Sequence, residues 1–236
     1  MTEMQARDFE TVAELRDAFP SAFMVDGTLN LSGQSGIRTL PRNMIVEGDL
    51  RFDGCSDLLE TPDGLEVMGS MRGGRCNSLV RIGQANVRQD LSIARCDSLD
   101  EISPDVAVGG LILFHCANLE YISPAVRVRG SVSLSYCTGL NAVPWEEIKG
   151  YFNAVGCTGL NDLPSQFSVE SFIDISSTHG LELRDDVICG RIIARRCKDL
   201  KVSEGLVARL SGDIDLTGSE YTLTAPPTEE FSPGPA

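Results

Sequence analysis

One feature constrains this chain more than any other: it repeats itself about every twenty residues. Cys55, Cys76, Cys96, Cys116, Cys137 and Cys157 are separated by 21, 20, 20, 21 and 20 residues. Each is followed three residues later by leucine, at Leu58, Leu79, Leu99, Leu119, Leu140 and Leu160. Thr178 with Leu181 and Cys197 with Leu200 continue the register, Gln34 with Ile37 opens it, and Ser219 with Thr222 closes it. A unit this short cannot bury an apolar face alone. About ten copies must therefore cover one another in a solenoid.

The rest of the unit predicts its local structure. Seven residues before the anchor stands glycine in most units, among them Gly48, Gly69, Gly109, Gly130 and Gly150. Five and three residues before it come apolar pairs such as Leu50/Phe52, Leu91/Ile93, Leu111/Leu113, Val132/Leu134 and Ile173/Ile175. Alternation at period two is the signature of a strand with one buried face. After the leucine comes another aliphatic, often beside proline, as in Leu40-Pro41, Val143-Pro144 and Leu163-Pro164. Proline there discourages a helix, and about six residues remain before the next unit, too few for one of mean length. The expected architecture is a parallel β-sheet on one side of the coils, with extended or 3₁₀ segments on the other. The anchors then stack inside the coils. A compact, readily buried, weakly donating thiol suits that place.

The unit V-x-G-x-L-x-L-x-x-C-x-x-L-x-x-I/L-P resembles a leucine-rich repeat with cysteine in the usual asparagine position. It is especially similar to short-repeat bacterial members, including the recognition domains of secreted effector ubiquitin ligases. The resemblance covers residues 21–222 and implies a repeat solenoid of leucine-rich-repeat type. It implies no ligase activity, because the ligase domain that follows the repeats in those effectors is absent here. Gly73, Ala154 and Ala194 replace a core aliphatic, and Gln34, Thr178 and Ser219 replace cysteine. Thinner stacking is expected at the small core residues.

Both ends need covering, because a solenoid exposes apolar edges there. Residues 1–20 are expected to form an amino-terminal capping helix, with Phe9, Val12, Ala13 and Leu15 near one face and Pro20 ending it. Residues 223–236, rich in proline and acid, are expected to be a disordered tail or the start of a linker.

Composition narrows the partners. The 34 acidic residues outnumber 20 basic ones, for a net charge of -14. A general electrostatic footprint for nucleic acid or an anionic membrane is therefore missing. No apolar run approaches a membrane span, and the first residues lack a secretory signal. Eight cysteines without an export signal point to reduced thiols in a cytoplasmic protein, or in a host cytosol if the chain is a delivered effector. A monomer is expected.

No motif carries chemistry. Structural zinc sites bring cysteines two to four residues apart, whereas the ladder here is spaced by about twenty and Cys189 and Cys197 stand eight apart. His115 precedes Cys116, but neighbouring strand residues face opposite sides, so the two form no dyad. His179 sits beside Gly180 in a turn. No metal or cofactor is expected, and no acid, base and nucleophile set unites into an active site.

One surface stands out. Outward positions of successive units carry Arg51, Arg72, Arg75, Arg95, His115 and Tyr136, with Arg191, Arg195 and Arg196 toward the far end. Asp53, Asp174 and Asp215 share that face. Arginine and aromatics gathered on one face of an acidic protein suit a protein partner with an acidic segment. The expected function is a non-enzymatic protein-binding scaffold, such as the recognition part of a bacterial effector. A free-standing inhibitor or immunity-type protein and a structural spacer are the alternatives.

Overall fold

A computed structural model describes residues 6–225, in which the chain winds as a parallel-sheet solenoid of about ten turns. Each turn adds one strand to a ten-stranded main sheet. The strands follow chain order: Leu29–Asn30, Leu50–Arg51, Met71–Gly74, Leu91–Ala94, Leu111–Phe114, Val132–Ser133, Phe152–Asn153, Phe172–Asp174, Arg191–Ile193 and Ile214–Asp215. All pairings between strands of this sheet are parallel and obey the repeat, with Leu50 opposite Met71, Leu91 opposite Leu111 and Val132 opposite Phe152. Period-two alternation is realised directly: Leu91 and Ile93 are buried, while Ser92 and Ala94, which alternate with them, are partly exposed.

The other sides of the coils are extended, as the short period demands, but they are also paired. Ile45–Val46, Leu65–Val67, Ala85–Val87, Ala107–Val108 and Arg127–Val128 form a second parallel sheet of five strands. Shorter ladders join Arg81–Ile82 to Glu101–Ile102, and Glu182–Leu183 to Leu200–Ser203 and Tyr221–Thr224. Stacking at a constant period brings any extended segment alongside its copy in the next coil, so backbone groups that would otherwise face water find partners. Among the described residues, 3₁₀ geometry occurs only at Pro20–Ala22.

The ends differ from expectation in detail. The helix spans Val12–Ala18, with Thr11 and Glu14 forming a reciprocal capping box. Arg7–Asp8 instead pairs with Ile37–Thr39 as a strand. Leu15 is buried and Phe9 packs on Phe19 at 5.8 Å, whereas Val12 and Ala13 are exposed. At the far end, a second helix, Glu204–Leu210, interrupts the ninth coil and buries Leu206 and Leu210. Strand pairing continues to Thr224, past the expected boundary at residue 222, and residues 226–236 of the expected tail lie outside the described residues.

The anchor thiols do line the interior. Cys55 Sγ donates to the carbonyl of Leu31 at 3.1 Å, Cys76 to Phe52 at 3.1 Å, Cys157 to Leu134 at 2.8 Å and Cys197 to Ile175 at 3.2 Å. In each case the acceptor lies three residues before the preceding anchor. Ser219 keeps the rule with its hydroxyl, donating to Ala194 at 2.5 Å. The ladder position therefore selects a small donor that reaches back one coil, and cysteine and serine both qualify. Thr178 instead donates within its own coil, to Ile175 at 2.8 Å.

Burial pushes the Cys55 thiol up to about 11 and the Cys157 thiol up to about 12, so the reactive thiolate is scarce at neutral pH. Denatured protein should therefore show eight titratable thiols, while the native ladder reacts slowly with a thiol-specific reagent. Cys189, off the ladder and half-buried, should be labelled first. Fast labelling of Cys96 or Cys116 in native protein would contradict this arrangement.

One expectation is corrected. Stacking is not thinned at Gly73: the ring of Phe52 from the preceding coil fills its place, and a Cβ there would lie 2.0 Å from Phe52 Cε2.

Candidate functional site

The outward face of the main sheet is built from columns, one residue per coil, with neighbours in a column about 4.8 Å apart. The column immediately before the anchors is the most unusual. After each main strand the chain must turn sharply to send the anchor inward, and it does so through a left-handed residue. Gly33, Gly54, Gly156 and Gly218 supply it with φ between 71° and 75°. Yet the third to sixth coils place Arg75 (56°), Arg95 (55°), His115 (53°) and Tyr136 (60°) there, and the ninth places Arg196 (55°). These side chains were expected within the strands. They lie just past them, in a conformation that costs a residue with a Cβ about 1–2 kcal/mol and glycine almost nothing.

A second difference separates the two kinds of turn. In four of the five coils where the left-handed residue is small, a side chain braces the bend: Asn30 accepts from the Ser32 N–H, Asn153 from Val155, Asp174 from Ser176 and Asp215 from Thr217, all at 3.0–3.1 Å; the second coil, with Arg51 at that position, is the exception. In the third to fifth coils the equivalent positions are Arg72, Ser92 and Ile112, which make no such bond, and the strands run on for four residues. The middle of the sheet is thus longer-stranded and carries the large side chains.

Charge on this face is unevenly satisfied. Arg51 pairs with Asp49 at 2.9 Å and Arg195 with Asp215 at 2.6 Å. The Arg195 guanidinium, together with Thr217, holds the Asp215 carboxyl well below the usual range. Elsewhere on the coils, Arg81 is held by Glu60, Asp63 and Glu101, and Arg184 by Asp162 and Asp186. By contrast, Arg72, Arg75, Arg95, Arg191 and Arg196 have no carboxylate within 4.0 Å among the described residues. Arg72, Arg75 and Arg95 form one group. Arg191 and Arg196 are a second patch, about five coils or 24 Å from Arg95.

Aromatics occupy the gap between them. His115 stacks on Tyr136 with centroids 4.8 Å apart, and Phe114 meets His115 at 4.6 Å and Tyr136 at 5.7 Å edge-on. Gly156 makes room for this cluster, since a Cβ there would come within 2.6 Å of the Tyr136 ring. Tyr151 stacks on Phe172 at 5.3 Å toward the strands' other end. Sequence reasoning missed Phe114, Tyr151 and Phe172. They share the face with the expected residues because they sit two and six positions before their anchors, both outward by alternation. Beside Phe114, Gly74 and Ala94 leave a depression of about 370 Å³ bounded by Asp53, Gly54, Arg75 and Arg95.

The face offers cations and aromatic surface. His115 is exposed, whereas Cys116 beside it is buried with its Sγ 3.8 Å from the carbonyl of Ile93. No family model, curated protein or solved structure matches this chain.

Proposed function

We propose that the protein is a non-enzymatic scaffold that binds a protein partner through the central face of its main sheet, in the third to sixth coils. One observation carries the reading: large side chains hold the left-handed position in four successive coils, where the first, second, seventh and tenth coils use glycine. Backbone strain persists where the side chain contributes something that folding alone does not require. These side chains are guanidiniums with no carboxylate partner among the described residues, beside an aromatic cluster, the residue types that dominate protein interfaces. An acidic segment on the partner is the matching chemistry. The reading extends to a leucine-rich-repeat type of solenoid, akin to the recognition part of a bacterial effector. Supporting it are the twenty-residue period and the cysteine in the repeat's asparagine position. The eight free cysteines favour a reducing, cytoplasmic setting.

The test compares two double charge reversals in a partner capture by the full chain. Arg75→Glu with Arg95→Glu should abolish capture without unfolding the protein. Arg42→Glu with Arg88→Glu changes net charge equally on other sides of the coils and should leave capture intact. If both variants captured the partner like the parent protein, the sheet face would be solvated surface only.

A further inference from the structure

We propose that the Arg75–Arg95 depression and the Phe114–His115–Tyr136 cluster form one bipartite site for an extended peptide bearing a carboxylate side chain and a large apolar side chain three residues apart. The proposal rests on the sheet-face reading above and adds to it the ligand's chemistry and spacing.

The depression takes the carboxylate. Its floor exists because Gly74 and Ala94 project almost nothing, and its walls carry two guanidiniums from adjacent coils. At about 370 Å³ it is large enough to admit a carboxylate side chain. Asp53 reaches over the Gly74 part of the floor, its Oδ1 2.9 Å from where a Gly74 Cβ would lie, so the ligand carboxylate is held on the arginine side and a monoanion is favoured over a doubly charged phosphate. The net charge of -14 acts in the same direction against a dianion.

The aromatic cluster takes the apolar side chain. Tyr136 is 40% exposed, and the His115 ring lies parallel to it within 5°. With Phe114 edge-on to both, the rings make a shelf that stays in place without a ligand. Shelf and depression are centred two coils apart, about 10 Å along the column. A polyproline-II segment advances about 3.1 Å per residue and returns a side chain to the same face every third residue, so side chains three residues apart reach both.

The experiment uses the full chain and capped synthetic peptides in a glycine–serine background, each with one tryptophan and one glutamate separated by one to five positions, in both orders. Binding is followed by NMR through the arginine Nε–Hε and imidazole signals, which reads millimolar affinities. A separation of three should bind tightest in at least one order, by about tenfold over separations of one and five. Arg95→Gly and Tyr136→Gly, which keep the left-handed turn with the residue other coils already use, should each remove that preference. A flat spacing series would overturn the bipartite site. If capture of the partner remained sensitive to Arg75→Glu with Arg95→Glu, the sheet-face reading would survive that failure. Tighter binding of a phosphoserine peptide than of the glutamate peptide would overturn the assignment of a carboxylate.

Discussion

Phe52→Ala is expected to cost about 3–5 kcal/mol, the largest effect of any single truncation in this core. Phe52 is fully buried, and its ring fills the space of two successive coils because Gly73 beside it has no side chain. Alanine at 52 would leave two consecutive coils without an interior group at the same level, a void the fixed spacing of a sheet cannot close. The complementary change, Gly73→Ala, should also destabilise, by about 1–3 kcal/mol, because its Cβ would meet the ring at 2.0–2.6 Å. The decisive variant combines Phe52→Leu with Gly73→Ala, which keeps interior volume roughly constant. It should be more stable than Gly73→Ala alone. Urea titration of the four proteins measures the coupling, and additive effects would show that ring and glycine are not a packed pair.

Leu134→Ala should cost about 2–5 kcal/mol, toward the upper end of that range. Leu134 is fully buried in the sixth coil, and the next coil offers only Ala154 at the same level. The substitution would therefore repeat, at a second site, the double vacancy that Phe52 prevents. Leu134 also ties coils together through its backbone: its N–H donates to Asn153 at 2.7 Å and its carbonyl accepts from Cys157 Sγ at 2.8 Å. Because each coil is stabilised by its neighbours, hydrogen exchange should quicken in the fifth to seventh coils together. An unchanged melting temperature would mean that the buried face of this strand is misassigned.

The repeat was legible in sequence because every coil must present the same groups at the same height. A column of cysteines at constant spacing has no competing explanation, and even Ser219 proves to follow the chemistry of the position. What escaped notice depends on contacts between different columns. Phe52 and Gly73 look like unrelated exceptions until the strands are stacked, and then they are one unit. Helix Glu204–Leu210 was hidden because its seven residues replace an extended segment inside an otherwise regular coil. At the candidate site, the residue types and their shared column were readable from spacing alone. The left-handed turn was not, because arginine, histidine and tyrosine do not announce a positive φ as glycine does. The depression was also invisible, being made by what Gly74 and Ala94 lack.

The strict neighbour-to-neighbour register of the main sheet bears on how fast the chain can fold. All-β proteins ordinarily fold slowly because their strands pair across long stretches of sequence. Here nearly every pairing joins residues about twenty positions apart, as Leu91 with Leu111, in a chain of 236. The mean separation is therefore about 0.09 of the length, in the range of helical bundles rather than sandwiches. Each coil closes a loop of the same modest size whatever the number of coils already formed, so the entropic toll per added coil stays constant. Growth from any formed pair of coils then proceeds outward in equal steps, and a longer array would lengthen the journey without raising its highest barrier.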